Sequence, residues 1–293
     1  MKSVGAKQTD VDFRSADGSL RLHGEVRGPD DASLTVLCLH GLTRNGGDFG
    51  FLAQHLSTRY RIVTADQRGR GKSQWDSDPA NYHPGTYVAD MFALLDGLAI
   101  DRVALIGTSM GGLMAMIMGA SQPARLRGIV LNDIGPEILV SGLKRLRRSL
   151  NDRAPATTWA EATEQAKRIN EIAFPDYLDA DWEAFARRTY VEDASARPVA
   201  AFDPAILKGL NEADLTAVPQ NLWSLWKQLG SIPILAIRGA LSDIISPQVL
   251  DAMAAEHPNL TAISIANRGH APMLDEPAAV AAIDAFLKRL ETT

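Results

Sequence analysis

The sequence predicts an α/β protein: a mostly parallel, doubly wound sheet flanked by helices, with a helical cap inserted after the sixth strand. Three observations carry this. Short apolar runs recur at residues 36–39, 61–65, 103–106, 129–131, 234–237 and 262–265. They are nearly continuous rather than alternating, as expected of strands covered on both faces. Amphipathic stretches such as 51–56 and 87–98 lie between them, the pattern of helices packed against a parallel sheet. That rhythm breaks between Pro136 and Gly230, where helical spacing dominates, and it resumes after Ser231-Ile-Pro.

Element by element, residues 13–20 read as a strand, a turn at Asp17-Gly18 and the start of a second strand. Four strands follow at the first four apolar runs. In the interrupted region Trp159, Ala162, Ala166, Ile169 and Ile172–Ala173 recur at three- and four-residue steps and predict an amphipathic helix. Trp182, Phe185 and Ala186 predict a second helix, and Leu222, Trp226 and Leu229 a third. No strand is expected there. The division is therefore a core of residues 1–135 and 231–293 and a helical cap of residues 136–230.

At 293 residues and 46% hydrophobic composition the chain can bury a large core. Net charge −5 argues against a nucleic-acid or anionic-membrane partner, and a small-molecule substrate is expected instead. The single cysteine, Cys38, sits in an apolar run and reads as a small core residue. No h-region opens the chain, and no stretch approaches the roughly 18–20 apolar residues that span a bilayer. The expected location is the cytoplasm.

Gly107-Thr-Ser-Met-Gly111 fits G-x-S-x-G between a strand and a helix, the context that motif needs. Glycines at 107 and 111 let the backbone crowd through a tight turn. Ser109 then projects at a helix N-terminus, where free N–H groups favour developing negative charge. A serine hydroxyl needs a base, and the base an orienting acid. Of six histidines, His270 lies in a loop after the strand at 262–265, on the edge of the sheet that carries Ser109. His40 also follows a strand and lies close to that edge. Two acids qualify, Asp133 and Asp243, each in a loop at the carboxyl edge, and chain order does not separate them.

Five segments together resemble the α/β-hydrolase fold superfamily. Leu39-His-Gly-Leu-Thr43 resembles its oxyanion loop, and Asp66-Gln-Arg-Gly-Arg-Gly-Lys-Ser73 its D-x-R-G-x-G-x-S loop. Gly107–Gly111 resembles its nucleophile elbow, Arg238-Gly-Ala-Leu-Ser-Asp243 its acid loop and Gly269-His270 its histidine loop. The resemblance implies a triad of Ser109, Asp243 and His270, with the backbone N–H groups of Leu42 and Met110 as oxyanion hole and no cofactor or metal. Serine at the elbow weighs against relatives that use a carboxylate there, the haloalkane dehalogenases and epoxide hydrolases.

Acyl transfer is the reaction such a set performs, and the chain is similar to carboxylesterases and 3-oxoadipate enol-lactonases. A carboxylesterase acting on a small or medium hydrophobic ester is expected. A lactonase, a C–C bond hydrolase or a non-catalytic binding member of the fold are the alternatives. Nine of the 18 aromatic residues fall in the cap segment. Most are expected to weld its helices together; Trp159, Trp182 and Trp223, with His40, are the candidates for substrate contact. Two signals are decoys. Gly71-Lys-Ser73 lacks the glycine at 66 that a phosphate loop requires. Lys144-Arg-Leu-Arg-Arg148 reads as a solvated helix face.

Overall fold

A computed structural model describes residues 8–213 and 222–292. The chain opens with β1 (Gln8–Arg14) and β2 (Arg21–Arg27), an antiparallel pair joined through a turn in which Gly18 takes φ +73°. Then β3 (Thr35–Leu39), α1 (Gly50–Leu56), β4 (Arg61–Ala65), α2 (Pro84–Gly97), β5 (Val103–Thr108), α3 (Met110–Ser121) and β6 (Leu126–Asn132) alternate along the chain. These strands coincide with the four apolar runs.

Between β6 and the next sheet strand lie α4 (Val140–Asn151), α5 (Trp159–Asn170), α6 (Asp179–Thr189), α7 (Leu207–Glu212) and α8 (Trp223–Gln228). The three helices expected here are α5, α6 and α8. Contrary to expectation the insertion also contains strands: β7 (Tyr190–Glu192) and β8 (Pro198–Ala200) form an antiparallel pair. Three-residue strands produce too little alternation to stand out from a helical background. The chain returns through β9 (Ile234–Gly239), α9 (Pro247–Glu256), β10 (Leu260–Ile265) and α10 (Pro277–Glu291).

The strand order is β1-β2-β4-β3-β5-β6-β9-β10, antiparallel at β1/β2 and β2/β4 and parallel from β4 onward. β6 pairs directly with β9, Ile129 opposite Ile234, so the insertion leaves and re-enters at neighbouring positions of the sheet. On one face Leu37, Leu105 and Ile129 pack with side chains of α2, α3, α8 and α9; on the other Val36, Ile62 and Ile106 pack with α1 and α10. Each of these side chains is fully buried, a stabilisation of about 1.5–3 kcal/mol apiece. Cys38 lies in the second layer, buried as expected.

Candidate active site

The site is built where strands end. Ser109 follows β5 with φ 52° and ψ −115°, a conformation that non-glycine residues rarely adopt. A Cβ on Gly107 would stand 2.3 Å from the Gly111 carbonyl oxygen, and one on Gly111 2.0 Å from that of Leu39. No side chain fits at either position, which is why the motif has glycine on both sides of the turn. The Ser109 N–H donates to the Asn132 carbonyl (3.0 Å), tying the elbow to β6.

His270 comes from the loop after β10. Its Nε2 lies 2.8 Å from Ser109 Oγ and its Nδ1 2.7 Å from an oxygen of Asp133. Here the sequence expectation is corrected: the carboxylate that meets His270 belongs to Asp133, not Asp243. Asp133 is the first residue past β6. Its left-handed φ of 56° turns the fully buried carboxylate beneath the loop after β9. There Gly239 N–H donates to Oδ1 (2.8 Å) and Ser242 Oγ to Oδ2 (2.6 Å). The Arg238 side chain in turn holds that loop, donating to the carbonyls of Ile245 (2.8 Å) and Ser242 (3.3 Å). The motif that resembles an acid loop thus supplies the hydrogen-bond donors for an acid on the neighbouring strand.

Asp243 meets a different partner. Arg145 on α4 donates to both its oxygens, at 2.5 and 2.8 Å. Burial would raise its pKa, but these hydrogen bonds and the Arg145 charge outweigh it and leave the carboxyl below its usual range. Arg145 is accordingly an exception within the basic stretch, whose Lys144 and Arg148 are exposed.

Leu42 and Met110, the residues expected to supply the oxyanion hole, line the same cavity as Ser109. Met110 opens α3, so its N–H has no intrahelical acceptor. Arg70, fully buried, braces both: its Nε donates to the Leu42 carbonyl (2.9 Å) and Nη2 lies 3.7 Å from Met110 Sδ.

The other expected contacts are also corrected. His40 is fully buried with both nitrogens engaged: Nδ1 donates to the Gly41 carbonyl (2.8 Å) and Nε2 accepts from Gln67 N–H (3.0 Å). Burial drives its pKa down to about 4, so it is a neutral strut between two loops, with no face toward substrate. Trp182 packs with Phe174, Tyr177 and Phe185 inside the insertion. Trp159 lies under the Arg187 guanidinium (3.7 Å) and donates to Glu192 (2.9 Å). Trp223 packs against the sheet-side core, with its indole nitrogen 3.5 Å from Glu137. Large aromatic area marks burial, and here the burial is against other helices.

What lines the cavity instead, about 250 Å³ in volume, is mostly aliphatic: Leu113, Ile138, Leu143 and Leu146, with Phe174 and Phe185 as its aromatic members from the insertion. Sequence reasoning missed two charged contributors, Arg153 and the pair of Arg44 with Asp48 (2.6 and 2.5 Å). Isolated arginines in loops carry no periodic signal that could have found them.

Residues 36–283 match the family model described as the Alpha/beta hydrolase family. The chain belongs to that family. It is 30% identical over 269 residues to a 3-hydroxybutyrate-oligomer hydrolase from Cupriavidus necator, covering 88% of this chain and 89% of that one. To a pimeloyl-[acyl-carrier protein] methyl ester esterase from Stenotrophomonas maltophilia it is 28% identical over 270 residues, 87% and 91% of the two chains. A crystal structure of an alpha/beta hydrolase from Novosphingobium aromaticivorans superposes with a TM-score of 0.90 at 38% identity, covering 97% of this chain and 99% of that one. The fold is therefore the α/β-hydrolase fold, and these three relatives are hydrolases.

Proposed function

We propose that this protein is a serine hydrolase of small or medium carboxylic esters, acting through Ser109, His270 and Asp133. One observation carries the reading: a continuous hydrogen-bond chain, Ser109 Oγ to His270 to Asp133, whose serine end opens into a largely apolar cavity. The relatives named as a methyl ester esterase and an oligomer hydrolase support an acyl-transfer reaction.

In this reading the inserted segment acts as a cap over the nucleophile. His270 Nε2 takes the Ser109 proton as Oγ attacks the carbonyl carbon. The oxyanion that forms accepts hydrogen bonds from Leu42 and Met110 N–H, each contributing about 3 kcal/mol of transition-state stabilisation. Collapse expels the alcohol, which takes the proton from His270, and leaves an acyl-serine. Water, deprotonated by the same imidazole, then releases the acid. Asp133 holds Nδ1–H, so that Nε2 faces Ser109 as an acceptor, and its negative charge stabilises the imidazolium that forms. Its other hydrogen bonds, from Gly239 N–H and Ser242 Oγ, keep the carboxylate fixed.

The test is hydrolysis of 4-nitrophenyl butyrate, together with labelling by a fluorophosphonate, for the wild-type protein and Ser109→Ala. Turnover and labelling in the wild type, both abolished in Ser109→Ala, are expected. Undiminished turnover in the variant would remove Ser109 as nucleophile.

A further inference from the structure

Among the described residues, one charge in the cavity has no counter-charge. Arg153, in the loop between α4 and α5, lines the same cavity as Ser109 and His270. Its Nε is shielded from solvent and has no hydrogen-bond partner. Among the described residues the guanidinium makes no ion pair. Its recorded neighbours are the Phe202 ring, 5.2 Å from Cζ, and two ionisable groups, Tyr190 and Arg44. Neither of those supplies negative charge near neutral pH, and Arg44 is itself matched by Asp48. Burial first, and repulsion from Arg44 after it, depress the pKa of Arg153, yet arginine has no neutral form available in ordinary conditions.

Buried cations in folded proteins are normally paired. Elsewhere in this chain buried arginines have partners: Arg68 meets Asp90 at 2.8 Å and Asp76 at 2.6 Å, and Arg70, with no ion pair among the described residues, donates to the Leu42 and Arg68 carbonyls at 2.9 and 2.8 Å. Arg153 has neither kind of partner at its Nε among the described residues. Among the described residues the cavity therefore keeps one uncompensated positive charge beside aliphatic walls. Ser149, four residues earlier, adds a hydroxyl to the same cavity lining.

We propose that Arg153 receives a carboxylate of the substrate, so that the preferred substrate is a compact ester carrying a free carboxylate away from the bond that is cleaved. The assignment rests on the ester-hydrolase reading of Ser109 and adds the substrate class. One planar guanidinium matches the two oxygens of a carboxylate and balances its single charge. A phosphate dianion would leave excess negative charge within apolar walls. The cap-side arginine would then fix which way the ester lies, and the aliphatic walls would hold the chain between its two ends.

The experiment compares kcat and KM for the full-length wild type, Arg153→Met and Arg153→Lys on two matched ester pairs. One pair is 4-nitrophenyl hydrogen glutarate and 4-nitrophenyl pentanoate, with the carboxylate on the acyl side. The other is 3-butanoyloxybutanoate and its methyl ester, with the carboxylate on the alcohol side. The wild type is expected to favour the charged member of at least one pair. Arg153→Met should lose about 10- to 100-fold in kcat/KM on that member, chiefly through KM, and stay within about threefold on its neutral partner. Arg153→Lys should recover part of the loss. The melting temperature of Arg153→Met should equal or exceed that of the wild type, since an unpaired, partly buried charge has been removed.

Preference of the wild type for the neutral member of both pairs would overturn the proposal. So would an equal loss on charged and neutral esters accompanied by a lowered melting temperature, which marks a structural arginine. In both cases turnover of the neutral esters leaves the hydrolase reading standing. Failure to turn over any of the four esters, with Ser109 unlabelled by a fluorophosphonate, would instead overturn that reading and this assignment with it.

Discussion

Replacing Asp133 with asparagine isolates what a carboxylate does beneath His270. The amide has nearly the same shape, so the perturbation is one of charge and of donor placement. In the wild type Oδ1 accepts from Gly239 N–H at 2.8 Å, while Oδ2 accepts from Ser242 Oγ at 2.6 Å and faces His270 Nδ1 at 2.7 Å. An asparagine that keeps its oxygen toward Gly239 must turn its NH2 toward His270 and Ser242. The imidazole then has to accept at Nδ1, which moves its proton to Nε2. In that tautomer Nε2 cannot take the Ser109 proton. The loss in kcat should be on the order of 10³–10⁴, equivalent to roughly 4–5.5 kcal/mol. Stability should fall by a further ~1–3 kcal/mol, because charge-assisted hydrogen bonds in a buried site are exchanged for weaker or mismatched ones. Steady-state hydrolysis of 4-nitrophenyl butyrate measures the first and urea unfolding the second. Asp243→Asn is the matched control: it breaks only a half-exposed pair with Arg145 and should change kcat by no more than a few-fold. A loss of 10³ or more in Asp243→Asn, with Asp133→Asn near wild type, would refute the reasoning.

Other expectations follow from the same geometry. Gly111→Ala should destabilise the fold by at least ~3 kcal/mol or prevent its accumulation, because the new Cβ would meet the Leu39 carbonyl oxygen at 2.0 Å; the urea midpoint checks this. Arg70→Met should lower kcat about tenfold with a smaller change in KM, since Arg70 positions the Leu42 and Met110 backbone without touching the cavity's reacting groups; restored activity in Arg70→Lys would indicate that charge alone suffices. His40 is held neutral at a pKa of about 4, whereas in the unfolded chain it titrates near 6.5. Between these values the unfolded state binds the extra proton, so stability rises with pH across the window and is lost as pH falls from 6.5 to 4. The loss is about 3 kcal/mol for this one group. His40→Asn should flatten that part of the pH–stability curve in urea titrations, and an unchanged slope would show that other groups dominate it.

Much of the fold was legible because its signals are local. Continuous apolar runs marked six of the sheet strands, and three- and four-residue spacing marked α5, α6 and α8. The β7/β8 pair escaped because three residues are too few to establish a period. In the site, Ser109 was fixed by its own flanking glycines, whose necessity is a matter of backbone contact within a single turn, and His270 by its place after the strand at 262–265. By contrast, Asp133 and Asp243 were equivalent on paper, each in a loop after adjacent parallel strands. Resemblance favoured Asp243, and the three-dimensional arrangement brings Asp133 to the histidine.

The reason lies in contacts distant in sequence. The direction of a carboxylate depends on the φ of its own residue and on donors brought in by another strand: for Asp133, Gly239 and Ser242, more than 100 positions away. Asp243 pairs instead with Arg145 from the insertion. The same holds for the cavity. Amphipathic spacing shows that a helix face is buried, but what it is buried against is settled only when the helices pack. Packing therefore turned Trp159, Trp182 and Trp223 toward structural partners and brought Phe174, Phe185 and Arg153 to the cavity wall. The sequence by itself determined the α/β architecture, the serine at its elbow and the histidine loop, because local spacing encodes them. Tertiary structure alone decided which acid meets that histidine and which charge lines the cavity, because both are set by long-range contacts.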